Sequence, residues 1–311
     1  MRKFTLMVLA GMAAISSTAH AAPAEEPQVI TVPGFADFLA VDGKTVWATN
    51  KGRVEQWSRA GKLAEVAIDH PCGAMAVSHG SLWVANCGKG TLERINIKTA
   101  KLVATIATGI ANPKGELNVV AGAGSIWVAS DAKGVVSRID PKTNAVIASV
   151  TVDPGTWYMA FGQGAVWAVS AEKQTLQRID PRTNAVTGKA PLGKEPGFLA
   201  AGLGGVWVQE QGDGTLARID PKTVTVTGRV KVGDNLKWGD IDTGAGKVWL
   251  RTTDDQVSVG IDRKLAITTR LGKAAGSGAL RYAHTGLWTT AHDEHTLTWW
   301  PKSTLKPNVK P

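Results

Sequence analysis

Apolar and polar positions along this chain fall into short stretches of four to seven residues, and continuous helical periodicity is absent. In "GAMAVS", "SLWVAN", "TLERINI" and "KLVATIA" (residues 73–107) the stretches are β-branched or alternate with period two, and Gly, Asn or Asp separates them, which predicts four strands, a to d. The same unit returns along the chain. Its copies align on Trp47, Trp83, Trp127, Trp167, Trp207, Trp249 and Trp288, spaced 36, 44, 40, 40, 42 and 39 residues apart. Self-similarity at roughly 40 to 45 residues, four strands per unit, is the mark of propeller blades.

The connections agree. Between strands c and d recurs "IDPKT" or "IDPRT", where the Asp side chain accepts from the backbone ahead of it and Pro fixes φ for a tight turn. Strands a and b are joined by "GxG" segments, in which glycine supplies positive φ. The last unit has strands a, b and c but little that could be d, whereas "PQVITVPG" (residues 27–34) is d-like with nothing before it. Pairing the two closes the ring and covers two sheet edges. The expectation is an all-β, seven-bladed propeller of four-stranded blades over residues 22–311, closed by its N-terminal strand.

Residues 1–21 are set apart from that domain. Arg2 and Lys3, the apolar run Phe4 to Ile15 and Ala19-His20-Ala21 have the parts of a secretory signal peptide, and a retained anchor is the alternative. The apolar run is shorter than the roughly 20 residues that span a bilayer, and no later segment is as apolar, so no membrane insertion is expected. A periplasmic or secreted monomer follows. The chain has 35 basic and 26 acidic residues, net +9, and losing Arg2 and Lys3 leaves +7. Those charges recur singly in the turns instead of forming a run, so the footprint of a nucleic-acid binder is missing.

The stretch Trp83 to Ile106, "WVANCGKGTLERINIKTAKLVATI", resembles the YVTN-type repeat propellers, and the resemblance extends over about the whole of residues 22–311. It implies a propeller in the cell envelope and leaves the activity open, because propellers host lyases, lactonases, dehydrogenases and binding scaffolds.

Residues that recur at the same place in most blades build blades, so chemistry is sought where the repeat breaks. The anchoring tryptophans, Arg94, Arg138, Arg178, Arg218, Asp140, Asp180 and Asp220 are read as structural. The d-to-a and b-to-c loops share one face around the tunnel, where propeller ligands bind in a concave mouth. Three positions past each tryptophan the strand-b ends carry Asn50, Asn86, Ser130, Ser170, Glu210, Thr252 and Ala291, and the strand-a entrances carry Asp37, Cys72, Lys114, Glu116, Trp157, Tyr158, Glu195, Phe198, Lys237, Trp238, Asp240, Arg281 and Tyr282. Glu116, Trp157, Tyr158, Glu210, Trp238 and Arg281 are the candidate ligand-binding residues. Aromatics beside a few charges suit a small organic or glycan ligand; the alternative is that Trp157, Phe198 and Trp238 plug the tunnel.

The chain is also distantly similar to the streptogramin (virginiamycin B) lyases in fold and in its "W-x-x-E" strand end. That resemblance implies Mg²⁺-binding acids and a catalytic histidine in an "H-G" strand-a entrance. Glu210 matches one acid, but Pro196 stands where the histidine would fall, so the general base of an elimination is missing from its place. The cluster His292, Asp293, Glu294, His295 could hold a metal, yet consecutive residues at a turn diverge, and a solvated turn is the preferred reading. No cofactor or metal is expected. Two functions remain: an exported binding or scaffold propeller for a small organic, glycan or protein ligand, and a lyase or hydrolase using acids such as Glu116 and Glu210, with or without a divalent metal.

Cys72 and Cys87, the only cysteines, lie in one a-to-b hairpin. If His79-Gly80 is its centre, opposed residues have numbers summing to 159, which places the two cysteines face to face and predicts a disulfide. Metal ligation by both thiolates with His70 is the rival.

Overall fold

The computed structural model describes residues 25–109, 112, 115–130, 133–237 and 239–309. Residues 1–21, with the expected signal peptide, lie outside the described residues, as do Lys114 and Trp238. Seven four-stranded antiparallel sheets run a to d outward from the axis, blades 1 to 6 each in chain order. Blade 7 takes strands a to c from Leu280–Ala283, Gly286–Ala291 and Thr296–Pro301, and strand d from Gln28–Thr31, with Gln28 opposite Trp299 and Thr31 opposite Thr296. The expected closure is thus present.

A second fastening was not legible in the sequence. After blade 7 the chain crosses to blade 6, where Lys247 Nζ donates to the Leu305 carbonyl (2.8 Å) and Asn308 N to the Thr268 carbonyl (3.0 Å). Asn308 also brackets Arg270, accepting from its N–H at 2.9 Å and donating to its carbonyl at 2.8 Å.

The seven tryptophans are buried between blades at 0 to 1 % exposure. In five blades the indole N–H donates to the last turn of strand a, as Trp83 does to the Ser78 carbonyl at 3.1 Å and Trp207 to the Gly202 carbonyl at 3.0 Å. Arg94, Arg138 and Arg218 lay their guanidinium groups over Trp83, Trp127 and Trp207 at 4.8, 4.9 and 5.5 Å. Arg94 then reaches the next blade, donating to the Pro141 carbonyl (2.7 Å) and Asn144 Oδ1 (2.8 Å). Arg138 does the same with the Pro181 carbonyl at 2.6 Å and Asn184 Oδ1 at 2.9 Å, so these two arginines stitch neighbouring blades together. In the c-to-d turns Asp140 and Asp220 accept from the backbone two residues on, at 2.9 and 2.7 Å.

In the "GxG" turns glycine supplies positive φ as expected, at the second glycine and together with the residue before it. Positive φ falls on the two residues after the first glycine, Ala123-Gly124, Gln163-Gly164 and Leu203-Gly204, as in a type I′ hairpin. The first glycine serves packing instead: a Cβ at Gly122 would run into the Phe161 ring of the next blade, and one at Gly162 into the Ala201 carbonyl.

Blade 2 holds a Cys72–Cys87 disulfide with Cα atoms 6.0 Å apart. Ser78 faces Ser81, as the His79-Gly80 turn requires, but a bulge between Cys72 and Ala76 slips the register by two residues and sets Cys72 opposite Ala85. Gly73, at φ +66°, lies in the bulge, where the backbone of Leu117 leaves no room for a Cβ. The cysteines therefore bond on a diagonal and not face to face.

Candidate functional site

The d-to-a and b-to-c loops gather on one face, and three of the residues three past a tryptophan, Asn50, Ser170 and Glu210, brace those loops. Asn50 accepts from Phe35 N at 2.6 Å and donates to the Pro33 carbonyl at 3.0 Å. Ser170 donates to the Pro154 carbonyl, and Glu210 accepts from Gly193 N at 2.7 Å. Side chains alternate along a strand, so the mouth is reached one residue later, at Ala171, Gln211 and His292.

Inside the loops lies a cavity of about 950 Å³. Phe35, Phe38, Trp157, Tyr158 and Phe198 give it aromatic walls. Phe198 is the hub: its ring centroid is 4.1 Å from that of Tyr158 and 5.9 Å from that of Phe38. Trp157 stands edge-on to Tyr158 at 6.2 Å, and Phe35 stacks on His292 at 3.9 Å. A smaller lobe of about 370 Å³ over blades 1 and 2 shares Phe35, Asp37, Phe38 and Glu116 and reaches His70 and Cys72. The aromatics line a hollow, and Phe198 also borders the tunnel void below it.

Asp37 and Glu116 stand where the lobes meet. Glu116 accepts from the Tyr158 hydroxyl at 3.2 Å. Burial pushes its carboxyl up to about 7; the tyrosine bond opposes that rise and the Asp240 charge adds to it. Asp37 is held well above the usual carboxylate range, chiefly by burial and then by Glu116 and Asp240, with Arg251 pulling the other way. Burial and the adjacent Glu116 likewise raise the Tyr158 phenol far above its ordinary value. Arg251 is fully buried behind this wall, donating to the carbonyls of Thr290 (3.1 Å) and Val257 (3.2 Å), and burial lowers it to about 10. Burial also lowers His292, against the pull of Asp293. Two acids whose carboxyls burial raises above their ordinary values thus face an apolar-walled hollow.

Of the candidate residues, Glu116, Trp157 and Tyr158 come together here. Glu210 does not: it is fully buried in blade 5, gripped by Arg229 through two bonds of 2.8 and 2.9 Å and by the Thr215 hydroxyl at 2.6 Å. Arg281 lines the tunnel below the cavity, paired with Asp240 at 2.5 Å. Trp238 lies outside the described residues, between Lys237 and Gly239, which both line the cavity. In "AHDEH" the side chains do diverge, since Asp293 accepts from Ser277 N and His295 contacts the Gly34 carbonyl, but His292 faces the cavity. Among the described residues no group of three His, Cys, Asp or Glu side chains could hold a metal ion.

Asp37 and His292 are the site residues that the sequence reading left off its short selection. Asp37 breaks the repeat at a strand-a entrance, and the four-residue offset from Trp288 would have found His292.

No family model matches the chain, and no curated protein matches it by sequence. Among solved structures it is similar to a virginiamycin B lyase from Staphylococcus aureus, with 16% identity, a TM-score of 0.76, and 89% of this chain and 99% of that one covered. A catalytically inactive His-to-Ala variant of that lyase with quinupristin gives 15%, 0.75, and 89% and 99%. BamB from Moraxella catarrhalis gives 15%, 0.63, and 87% and 85%. At this identity the likeness is one of fold, a β-propeller in each case.

Proposed function

We propose that this chain is an exported envelope protein that works as a monomer and binds a small organic or glycan ligand in its mouth. The single observation that carries the reading is the 950 Å³ hollow with aromatic walls and recessed acids, located where the blade repeat breaks down. The disulfide suits an oxidising compartment, and among the described residues no helix is long and apolar enough to cross a membrane. The test is a thermal-shift screen of small organic compounds and oligosaccharides. Hits should lose their effect in Phe198→Ala and Trp157→Ala while surviving in Lys142→Ala and Lys222→Ala on the turn face. Hits indifferent to the mouth variants would move the site elsewhere and favour a protein partner.

A second reading, a lyase or hydrolase, is favoured by one observation: Glu116 titrates near 7, where a general base works best. The fold neighbour named above is inactive without one histidine, and the histidine that this mouth offers is His292, stacked on Phe35. Glu210 is committed to Arg229 and would take no part. Turnover of quinupristin by the purified protein, abolished in Glu116→Gln, would establish this reading, and an inert native protein would remove quinupristin as its substrate.

A further inference from the structure

We propose that the mouth selects organic cations: an aromatic or alkyl body fills the hollow, and a positive head lies between Asp37 and Glu116 against the aromatic rings. This rests on the reading of the mouth as a ligand site and narrows it to one chemical class.

Three fully buried carboxylates elsewhere in the molecule are supplied with cations. Glu55 has Arg53 at 2.7 Å and Lys62 at 3.6 Å, Glu210 has Arg229 at 2.8 Å, and Asp240 has Arg281 at 2.5 Å. Glu93 and Asp242 also lack an ion pair but are held otherwise, Glu93 by the Thr91 and Thr105 hydroxyls at 2.7 and 2.5 Å and Asp242 by the N–H groups of Thr243 and Tyr282 at 2.7 and 2.8 Å; Asp37 and Glu116 instead face the cavity. Neither forms an ion pair among the described residues, and the Asp37 carboxyl accepts no hydrogen bond there. Among the described residues four acids line the cavity, Asp37, Glu116, Glu172 and Glu195, against a single lysine, Lys237, which is spent on Glu195 at 2.8 Å. This acidic excess occurs in a chain of net charge +9. An unpaired buried acid is costly, and a bound cation removes that cost. Phe35, Phe38, Trp157, Tyr158 and Phe198 supply the second half of a cation site, since an ammonium within about 6 Å of a ring is attracted by its face.

The binding is linked to protons. Burial raises both carboxyls, Glu116 to about 7, and a cation that favours their charged forms displaces protons, so affinity rises with pH through neutrality. The other groups facing the pair are Asp240 and Tyr158, Arg251 and Asp293, and His292. Protonation of His292 in acid adds repulsion of the same sense.

Isothermal titration calorimetry with benzyltriethylammonium, benzyl alcohol and benzenesulfonate tests this on the native protein. The cation should bind at least about tenfold more tightly than the alcohol, tighten roughly tenfold between about pH 6 and pH 8, and release protons to the buffer. Glu116→Gln should weaken it about tenfold and flatten the pH dependence, and Asp37→Asn should do likewise. Should Asp37→Asn fail to fold, Glu116→Gln and the native pH profile decide alone. Cation binding no tighter than the alcohol's, or tighter benzenesulfonate binding, overturns the cation class. If the alcohol or the sulfonate binds and Phe198→Ala abolishes it, the mouth stands and only the class falls. Failure of all three probes sinks the class, while the broader screen above judges the mouth separately.

Discussion

Tyr158 of blade 4 donates its hydroxyl to Glu116, on the entrance to blade 3, across 3.2 Å. The bond spans two blades at the floor of the mouth and opposes the rise that burial imposes on the Glu116 carboxyl. Replacing Tyr158 by Phe should raise the Glu116 titration above its present value near 7, read as the carboxyl band by infrared spectroscopy across a pH series. An unmoved or lowered titration would contradict the assignment.

Glu116 should also leave a mark on stability. Its folded pKa of about 7 lies above the ordinary 4.5, so the folded state holds the extra proton and stability falls as pH rises from 4.5 towards 7. Glu116→Gln should remove that slope and be more stable than the parent above pH 7, by roughly 1 to 3 kcal/mol given screening by water in the cavity. Urea denaturation at several pH values gives the comparison.

Glu210 should behave in the opposite sense. Burial alone would raise it, but Arg229, Thr215 and the Gly193 N–H outweigh burial and hold it below its ordinary value. Its stabilising contribution is present above the unfolded pKa and is lost as pH falls through the folded one. Glu210→Gln should cost about 2 kcal/mol near neutrality and less in acid, by the same denaturation series, and leave binding in the mouth intact.

How legible was all this in the sequence? The tryptophan spacing and the orphan strand at residues 28–31 disclosed the ring, because both depend on local pattern. The site was half legible. Glu116, Trp157 and Tyr158 were found as breaks in the repeat, whereas Glu210 was misread because strand alternation decides which side a residue faces and a one-residue offset reverses it. The Cys72 register failed for a related reason: counting outward from a turn assumes an unbroken ladder, and the Gly73 bulge breaks it without an obvious cue. The tail from Leu305 to Asn308 carries no periodic pattern, and its docking onto blade 6 is a tertiary fact.

The Cys72–Cys87 bridge closes a loop of about 15 residues, worth on the order of 3 kcal/mol in the chain-entropy model. Thiol titration of the denatured, unreduced protein should find no free cysteine. The double Cys→Ser variant should unfold at correspondingly lower urea; equal midpoints would show that the bridge adds nothing.

Removing residues 22–33 should bare strand c of blade 7 and uncover Trp299, costing several kcal/mol and promoting aggregation. A truncated protein as soluble and as heat-stable as the parent would contradict the closure.

That closure also fixes an order of events. Blades 1 to 6 each draw their strands from one continuous stretch and can assemble as the chain is delivered, but blade 7 needs Gln28 beside Trp299, from opposite ends of the polypeptide. Until the last strand arrives, the first remains an unpaired edge, and the loops that frame the mouth from blades 1 and 7 have no fixed separation. Phe35 and His292, whose stacked rings join those two blades, meet only at that final step. A chain lacking blade 7 would hence keep Glu116, Trp157, Tyr158 and Phe198 from blades 3 to 5 but lose the Phe35–His292 contact that joins the two sides of the ring.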